Sequence, residues 1–280
     1  MKHSRIWPVA ALTLLMGTFT FVANAALVVD RGLPSANLNN AAGSNRSNVN
    51  WDFCNQDNCT GSLAGDDFLL PALDPGQKHW RIDTIRVWVV EGLIEDDWAF
   101  GDLFDTVSLF LGADPSSVQK VATANVNSGQ NTTDNSNITI TKVQYPGGAN
   151  YQDPNDEFAQ IWQIDFNNLG YFDPGLYLFG ADGLFGNDTF PWFSHASNAT
   201  LSGTPQQGSD DKYRKFTGNA GNGSITFDSF IDSKGNGWDK SSDINIQVFA
   251  TQVPEPASLA LLGLGLVGLA GMRRRWLGAF

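Results

Sequence analysis

The sequence predicts an all-β body, built as an antiparallel β-sandwich of jelly-roll-like type, and three observations lead to that prediction. Short runs of alternating apolar and polar residues recur along the chain, which is the period of a half-buried strand. Glycine, asparagine, aspartate and proline separate these runs, as expected for turns. No stretch between Ala26 and Gln252 repeats its apolar residues at helical spacing. Many short strands without helices are typical of sandwiches and jelly rolls.

The clearest predicted strand runs from Trp80 to Glu91. Aliphatic residues occupy positions 85, 87 and 89, whereas Arg86 and Trp88 lie on the opposite face, so we expect Trp88 to point outward. A turn is expected at residues 31–34. The other predicted strands are Ala26 to Asp30, Asp66 to Leu70, Thr106 to Leu111, Ile138 to Val143, Phe158 to Phe166, Leu176 to Phe179, Ile225 to Phe230 and Ile244 to Phe249.

Residues 1–25 have the three parts of a secretory signal peptide. Lys2 and Arg5 give a basic start, Ile6 to Val22 is mostly apolar, and Ala-Asn-Ala at 23–25 is a small-residue cleavage site. This pattern predicts export through the Sec machinery and cleavage by signal peptidase after Ala25. The body is then expected to be residues 26–252.

The predicted body is strongly acidic. The whole chain has 17 Lys and Arg against 29 Asp and Glu, a formal net charge of −12. The two terminal segments hold five of the basic residues and one of the acidic ones, so 12 and 28 remain and the body carries −16. A surface of this charge repels nucleic acid, which we exclude as a partner.

Cys54 and Cys59 are the chain's two cysteines. In an exported protein, a close and even pair predicts one disulfide that closes a small loop. Closing a ring of this size is worth about 2 kcal/mol. A zinc site is the alternative, but it needs further ligands, and the chain has only three histidines.

Three kinds of candidate chemistry occur in the body. Acidic pairs such as Asp66 and Asp67 are what a secreted polysaccharide hydrolase would need, but its two carboxylates must lie about 5 to 10 Å apart, which sequence does not encode. Because so acidic a chain contains pairs by chance, we expect no catalytic site. The other two candidates are a calcium-binding site and a glycan-binding site.

A calcium site is a candidate in the oxygen-rich turn that holds Asp228, Asp232 and Asp239 with two glycines. Calcium binds several oxygen ligands in such flexible loops, although an ordinary solvated turn has the same composition. Exposed aromatic rings near amides stack on sugar rings. Trp88, from its outward phase, and Trp238, in the polar turn, are therefore the candidate glycan-binding residues.

The segment from Val253 to Phe280 has the layout of a sorting tail. Pro254, Glu255 and Pro256 form a rigid and extended Pro-Glu-Pro motif, because each proline fixes its own φ and disfavours helix before it. The apolar run from Ala257 to Met272 would span about 24 Å as a helix, slightly less than a bilayer core of roughly 30 Å. We therefore expect a single, short transmembrane helix.

A basic stop follows the apolar run and consists of Arg273, Arg274 and Arg275, which are expected to stay in the cytoplasm. This tail closely resembles the PEP-CTERM sorting signal of Gram-negative bacteria. The resemblance implies that an exosortase-like membrane protease of the inner membrane recognises Pro-Glu-Pro and that the tail is removed. The protein would be anchored transiently and then reside on the outer surface or in the extracellular matrix.

These observations lead to three hypotheses for the body. The first is a non-enzymatic component of the cell surface or of the exopolysaccharide (biofilm) matrix, with glycan or calcium binding as an added function. The alternative is a secreted polysaccharide hydrolase. Ice binding is the third, and it is disfavoured because no regular Thr-x-Thr ladder recurs along the chain. Tails of this type also bear the name of ice-binding proteins, but that name describes the tail and not the body.

Overall fold

A computed structural model describes residues 25–32, 49–51, 60–91, 100–126, 137–143, 151–152, 158–185, 192–194, 214–219, 231–232 and 243–255. Within these ranges the chain is β-structure and connections, apart from one helical turn, α1 (Phe100–Leu103). The strands form two antiparallel sheets. The predicted all-β, antiparallel body is therefore confirmed, whereas the signal peptide and the apolar tail lie outside the described residues.

The described strands, in chain order, are β1 (Ala26–Asp30), β2 (Val49–Trp51), β3 (Thr60–Leu70), β4 (Gln77–Glu91), β5 (Phe104–Gly112), β6 (Gln119–Asn125), β7 (Ile138–Val143), β8 (Tyr151–Gln152), β9 (Phe158–Phe172), β10 (Gly175–Phe185), β11 (Trp192–Ser194), β12 (Arg214–Asn219), β13 (Ile231–Asp232) and β14 (Ile246–Pro254).

The first sheet is built around β4. Strand β9 pairs with one edge of β4, and β14 pairs with the other from the start of β4 up to Val87. Beyond that point β11 takes the place of β14 and pairs in turn with β2. Strand β1 adds to β14, and β7 and β8 add to β9. The second sheet has the order β13-β12-β3-β10-β5-β6.

The two sheets share one hydrophobic core, because alternate residues of their facing strands are apolar. Trp162 of β9 belongs to it, as does Phe100 of α1, and their rings meet edge to face at 5.5 Å. The core's most enclosed side chains come from both sheets: Ile82, Ile85, Val89, Ile164, Phe166, Ile246, Val248 and Ala250 from the first, and Phe68, Leu70, Phe104, Val107, Leu109 and Phe179 from the second.

The two ends of the body differ in their connections. At one end, residues 71–76 join β3 to β4 and residues 173–174 join β9 to β10, and β14 finishes there at Pro254. We call this the Pro254 end. Strand β4 finishes at the opposite end with Glu91, as β10 does with Phe185. Among the described residues, no helix has the length and apolar composition needed to cross a bilayer.

Candidate functional site

A tight turn at the Pro254 end precedes β4. Its sequence is Asp-Pro-Gly-Gln at 74–77, and the backbone N–H of Gln77 donates to the carbonyl of Asp74 at 3.1 Å. Gly76 has φ +84°, which a type II turn requires at its third residue, and Pro75 supplies the fixed φ preferred at the second. The sequence of this turn therefore determines its geometry. The Gly76 carbonyl also accepts a hydrogen bond from the residue that follows β14.

The last residues of β14 follow β4 down to this turn. Val253 lies opposite His79 and Pro254 opposite Gln77, with a one-residue register shift between the two pairs. Among the described residues, β1 accompanies β14 only as far as Ala250. Pro254 thus occupies an edge position, where its missing N–H removes no bond to a further strand.

Hydrogen bonds hold the end of β14 against the turn. The backbone N–H of Glu255 donates to the Gly76 carbonyl at 3.2 Å, and the Asp74 N–H donates to Gln252 Oε1 at 3.1 Å. Pro254 and Glu255 are themselves exposed. Thr251 is buried, and its hydroxyl donates to Asp83 Oδ2 at 2.6 Å. The strand end is therefore fixed firmly at Thr251 and held more lightly beyond it.

Neighbouring side chains brace the same end of the body. His79 Nδ1 lies 2.8 Å from Asp173 Oδ1, and the His79 ring contacts Tyr171 with centroids 6.4 Å apart. The Trp80 indole donates to the Pro71 carbonyl at 2.8 Å. These contacts tie the turns at 71–76 and 173–174 to the start of β4. They hold the side chains of the surface next to Pro254 in fixed positions.

A buried charge cluster lies away from this end, where β1 meets the second sheet. Arg31, directly after β1, is fully enclosed, and its Nη1 donates to Asp66 Oδ2 at 2.6 Å. The carboxylates of Asp67 and Asp243 lie 3.7 and 3.6 Å from the same guanidinium. Asp66 also accepts the backbone N–H of Ile244 at 2.7 Å. The cluster joins β1, β3 and the segment that leads into β14.

Burial determines the protonation behaviour of Asp66. Desolvation raises the pKa of this carboxyl well above its ordinary value, and the attraction of Arg31 offsets only part of that rise. Because Asp66 is completely enclosed, it cannot contact a sugar as a hydrolase acid would. The turn expected at residues 31–34 is described only at Arg31 and Gly32. Nothing in the sequence indicated that Arg31 is buried, and three carboxylates draw its guanidinium into the interior.

The prediction that Trp88 is exposed is wrong. Its side chain is only 1% exposed, although neighbouring Val87 and Val89 belong to the shared core and Trp88 does not. The alternation assigned Trp88 to the correct face of β4, but period alone does not show whether that face is covered. Trp88 therefore cannot stack on a sugar.

The other predicted site residues are only partly described. Ala25 directly precedes β1, and Asp232 lies on β13 opposite Arg214. Within the described part of the chain, no group of three acidic, histidine or cysteine side chains is placed to hold a metal ion. The remaining predicted residues lie outside the described ranges: Cys54, Cys59, Asp228, Trp238, Asp239, Pro256, Arg273, Arg274 and Arg275.

The turn that receives β14 was not predicted as part of a site. Asp-Pro-Gly at 74–76 is a recognisable turn signal, but its partner Gln252 is 178 residues away in sequence. No local pattern encodes such a contact. Only the strand order, with β14 beside β4, brings Gly76 and Glu255 together.

Comparison with known proteins identifies the C-terminal segment. No curated protein and no solved structure matches the chain. Residues 252–275 match the family model of the PEP-CTERM protein-sorting motif, which confirms the resemblance seen in the sequence. The motif indicates an exported protein that an exosortase-type membrane protein processes and that its C terminus anchors transiently. The chain therefore carries a PEP-CTERM sorting signal, and the first residues of that signal are the last residues of β14.

Proposed function

We propose that this chain is a non-enzymatic component of the cell surface or of the exopolysaccharide matrix, exported with a signal peptide that ends at Ala25 and held by a C-terminal membrane helix until its tail is removed. The observation that carries the proposal is the continuity of β14 with the sorting motif. Because no spacer separates β14 from the sorting motif, the Pro254 end of the body faces the membrane, and the opposite end faces outward.

The described carboxylates support a structural body. Asp165 accepts two hydrogen bonds from Arg86, at 2.7 and 2.8 Å, and Asp83 accepts bonds from Arg81 and Thr251. A charge-assisted pair of this kind orients a carboxylate toward its partner. These acids, like Asp66, stabilise contacts between strands, and such roles suit a matrix protein. The hydrolase and ice-binding hypotheses stay predictions from the sequence, and no contact among the described residues favours either.

The acidity of the body restricts how it would bind a polysaccharide. A net charge of −16 repels anionic polymers unless a cation bridges the two. The proposal therefore includes neutral stacking by Trp238, since buried Trp88 is excluded, together with calcium held by Asp228, Asp232 and Asp239. Calcium bound there would supply bridging positive charge.

Retention on the host's own exopolysaccharide tests the proposal. The exported protein is passed over immobilised polysaccharide as wild type, as Trp238→Ala, and as wild type with a calcium chelator. Tyr171→Ala is the matched control, because Tyr171 is 65% exposed at the Pro254 end. We expect retention of the wild type and the control, and weaker retention in the other two arms. No retention of the wild type would contradict polysaccharide binding, and equal retention in all arms would contradict the assigned residues.

A further inference from the structure

The sorting motif begins inside a folded strand. Val253 and Pro254 pair with β4, and the backbone N–H of Glu255 is already bonded to Gly76. Pro254 is thus part of the sheet edge, and Glu255 is bonded to the turn that precedes β4. A spacer between body and motif would separate folding from recognition, and the chain has none.

This arrangement obstructs recognition of the motif. An enzyme that binds an extended peptide makes contacts along the main chain and with side chains on both sides of it. Here strand β4 and the 74–77 turn occupy one edge of that main chain, from Gln252 to Glu255. The docked strand and the bound peptide therefore compete for the same backbone groups.

We propose that residues Gln252 to Glu255 form a latch that must leave β4 before the sorting enzyme can read the motif. The inference rests on the proposed export route and adds its regulation: the folded body sets the rate at which its own tail is processed. Thr251 marks the inner limit of opening, because it is buried and bonded to Asp83.

The contacts of the latch fit a segment that opens locally. Pro254 and Glu255 are exposed, and Gln252 and Val253 are half-buried. Segments at a strand end with few buried contacts open far more often than the core does. Opening separates Gln252 from Asp74 and Glu255 from Gly76, and it leaves the core residues of β14 in place.

A reversible disulfide tests the latch. His79 and Val253 are direct partners, and residues so placed in an antiparallel pair have Cα atoms about 4.5 to 5.5 Å apart, within the range that a disulfide spans. The variant is His79→Cys with Val253→Cys, in the full-length precursor with Cys54→Ser and Cys59→Ser. Leu27→Cys with Phe249→Cys is the control, because it joins the directly opposed residues of β1 and β14 and leaves the latch unconstrained.

Processing is measured in host membranes as conversion of precursor to the shorter form, with and without reductant. We expect the oxidised latch variant to be processed about tenfold more slowly or worse, and to recover on reduction. The oxidised control should match its reduced form. Because the oxidised and reduced forms share one sequence, loss of the His79 ring does not explain a difference between them.

A flexible insertion distinguishes a closed latch from misfolding as the cause of slow processing. Six Gly and Ser residues placed between Val253 and Pro254 should restore processing of the oxidised variant. The motif can then leave β4 while the disulfide between positions 79 and 253 stays closed. Equal rates for the oxidised and reduced latch variant would overturn the proposal, and so would failure of the insertion to rescue. Absence of processing in every arm, the wild type included, would overturn the export route and the latch together.

Discussion

Replacing Arg31 with methionine should destabilise the body more than any other single charge removal among the described residues. The change keeps much of the side chain's length and deletes its charge. Asp66, Asp67 and Asp243, buried with 0, 5 and 1% exposure, would then face one another without the guanidinium that lies among them.

The magnitude follows from burial. Removing one partner of a buried ion pair typically costs about 3–5 kcal/mol, because a charge is left uncompensated in a poorly solvated place. Arg81→Met is the matched control. Arg81 also bonds an aspartate, Asp83, at 2.8 Å, but its side chain is 45% exposed, and exposed pairs contribute about 0–1 kcal/mol.

The stability that Arg31→Met loses should depend on pH. Burial already raises the pKa of Asp66 in the folded protein, so this group favours the fold most below its unfolded pKa and less as pH rises through its folded pKa. Deleting Arg31 removes the interaction that lowers this pKa, and the pKa rises further. The variant should therefore lose little stability in acid and most of it toward neutral pH.

Urea unfolding of the exported protein measures the effect, at about pH 4 and about pH 7 for the wild type, Arg31→Met and Arg81→Met. Adding Asp66→Asn to Arg31→Met should restore part of the loss at neutral pH, since it neutralises the most deeply buried carboxylate. A loss under about 1 kcal/mol, or one that is equal at both pH values, would refute the reasoning.

Three further variants test separate features. Trp88→Ala should lower the free energy of unfolding by about 3–5 kcal/mol, measured in urea, because it empties a buried site; a loss near zero would contradict burial. Gly112→Ala would press its Cβ against the backbone nitrogen of Val118. The shift that follows should lower the free energy of unfolding by about 1–3 kcal/mol, and an unchanged urea midpoint would contradict that close approach. Replacing Cys54 and Cys59 with serine should lower Tm by only a few degrees, since a small loop contributes about 2 kcal/mol; titration of two free thiols in the native exported protein would disprove the disulfide.

Strand positions were predictable where alternation was unbroken. The expected strand Trp80 to Glu91 appears as β4, extended by three residues to Gln77. Strand β9 begins as predicted at Phe158 but continues past Phe166 to Phe172. Asn168, with φ +58°, and Gly170, with φ +101°, accompany a register shift against β4. A bulge of this kind interrupts the alternation, and in sequence it resembles a turn.

The site was predictable only in part. Pro254 and Glu255 could be recognised because the motif is local in sequence and stands before an apolar run. Their docking on Gly76 could not, because it depends on which strand lies beside β14. Burial of Arg31 and Trp88 depends in the same way on packing from distant elements, and one-dimensional periodicity carries no information about it.

The intact mass of the exported protein tests the central claim most directly. If the chain is exported with a cleaved signal peptide and sorted through its PEP-CTERM motif, the mature form recovered outside the cell should begin at Ala26 and end near Pro256. A secreted chain that retains Arg273, Arg274 and Arg275 would contradict sorting through this motif.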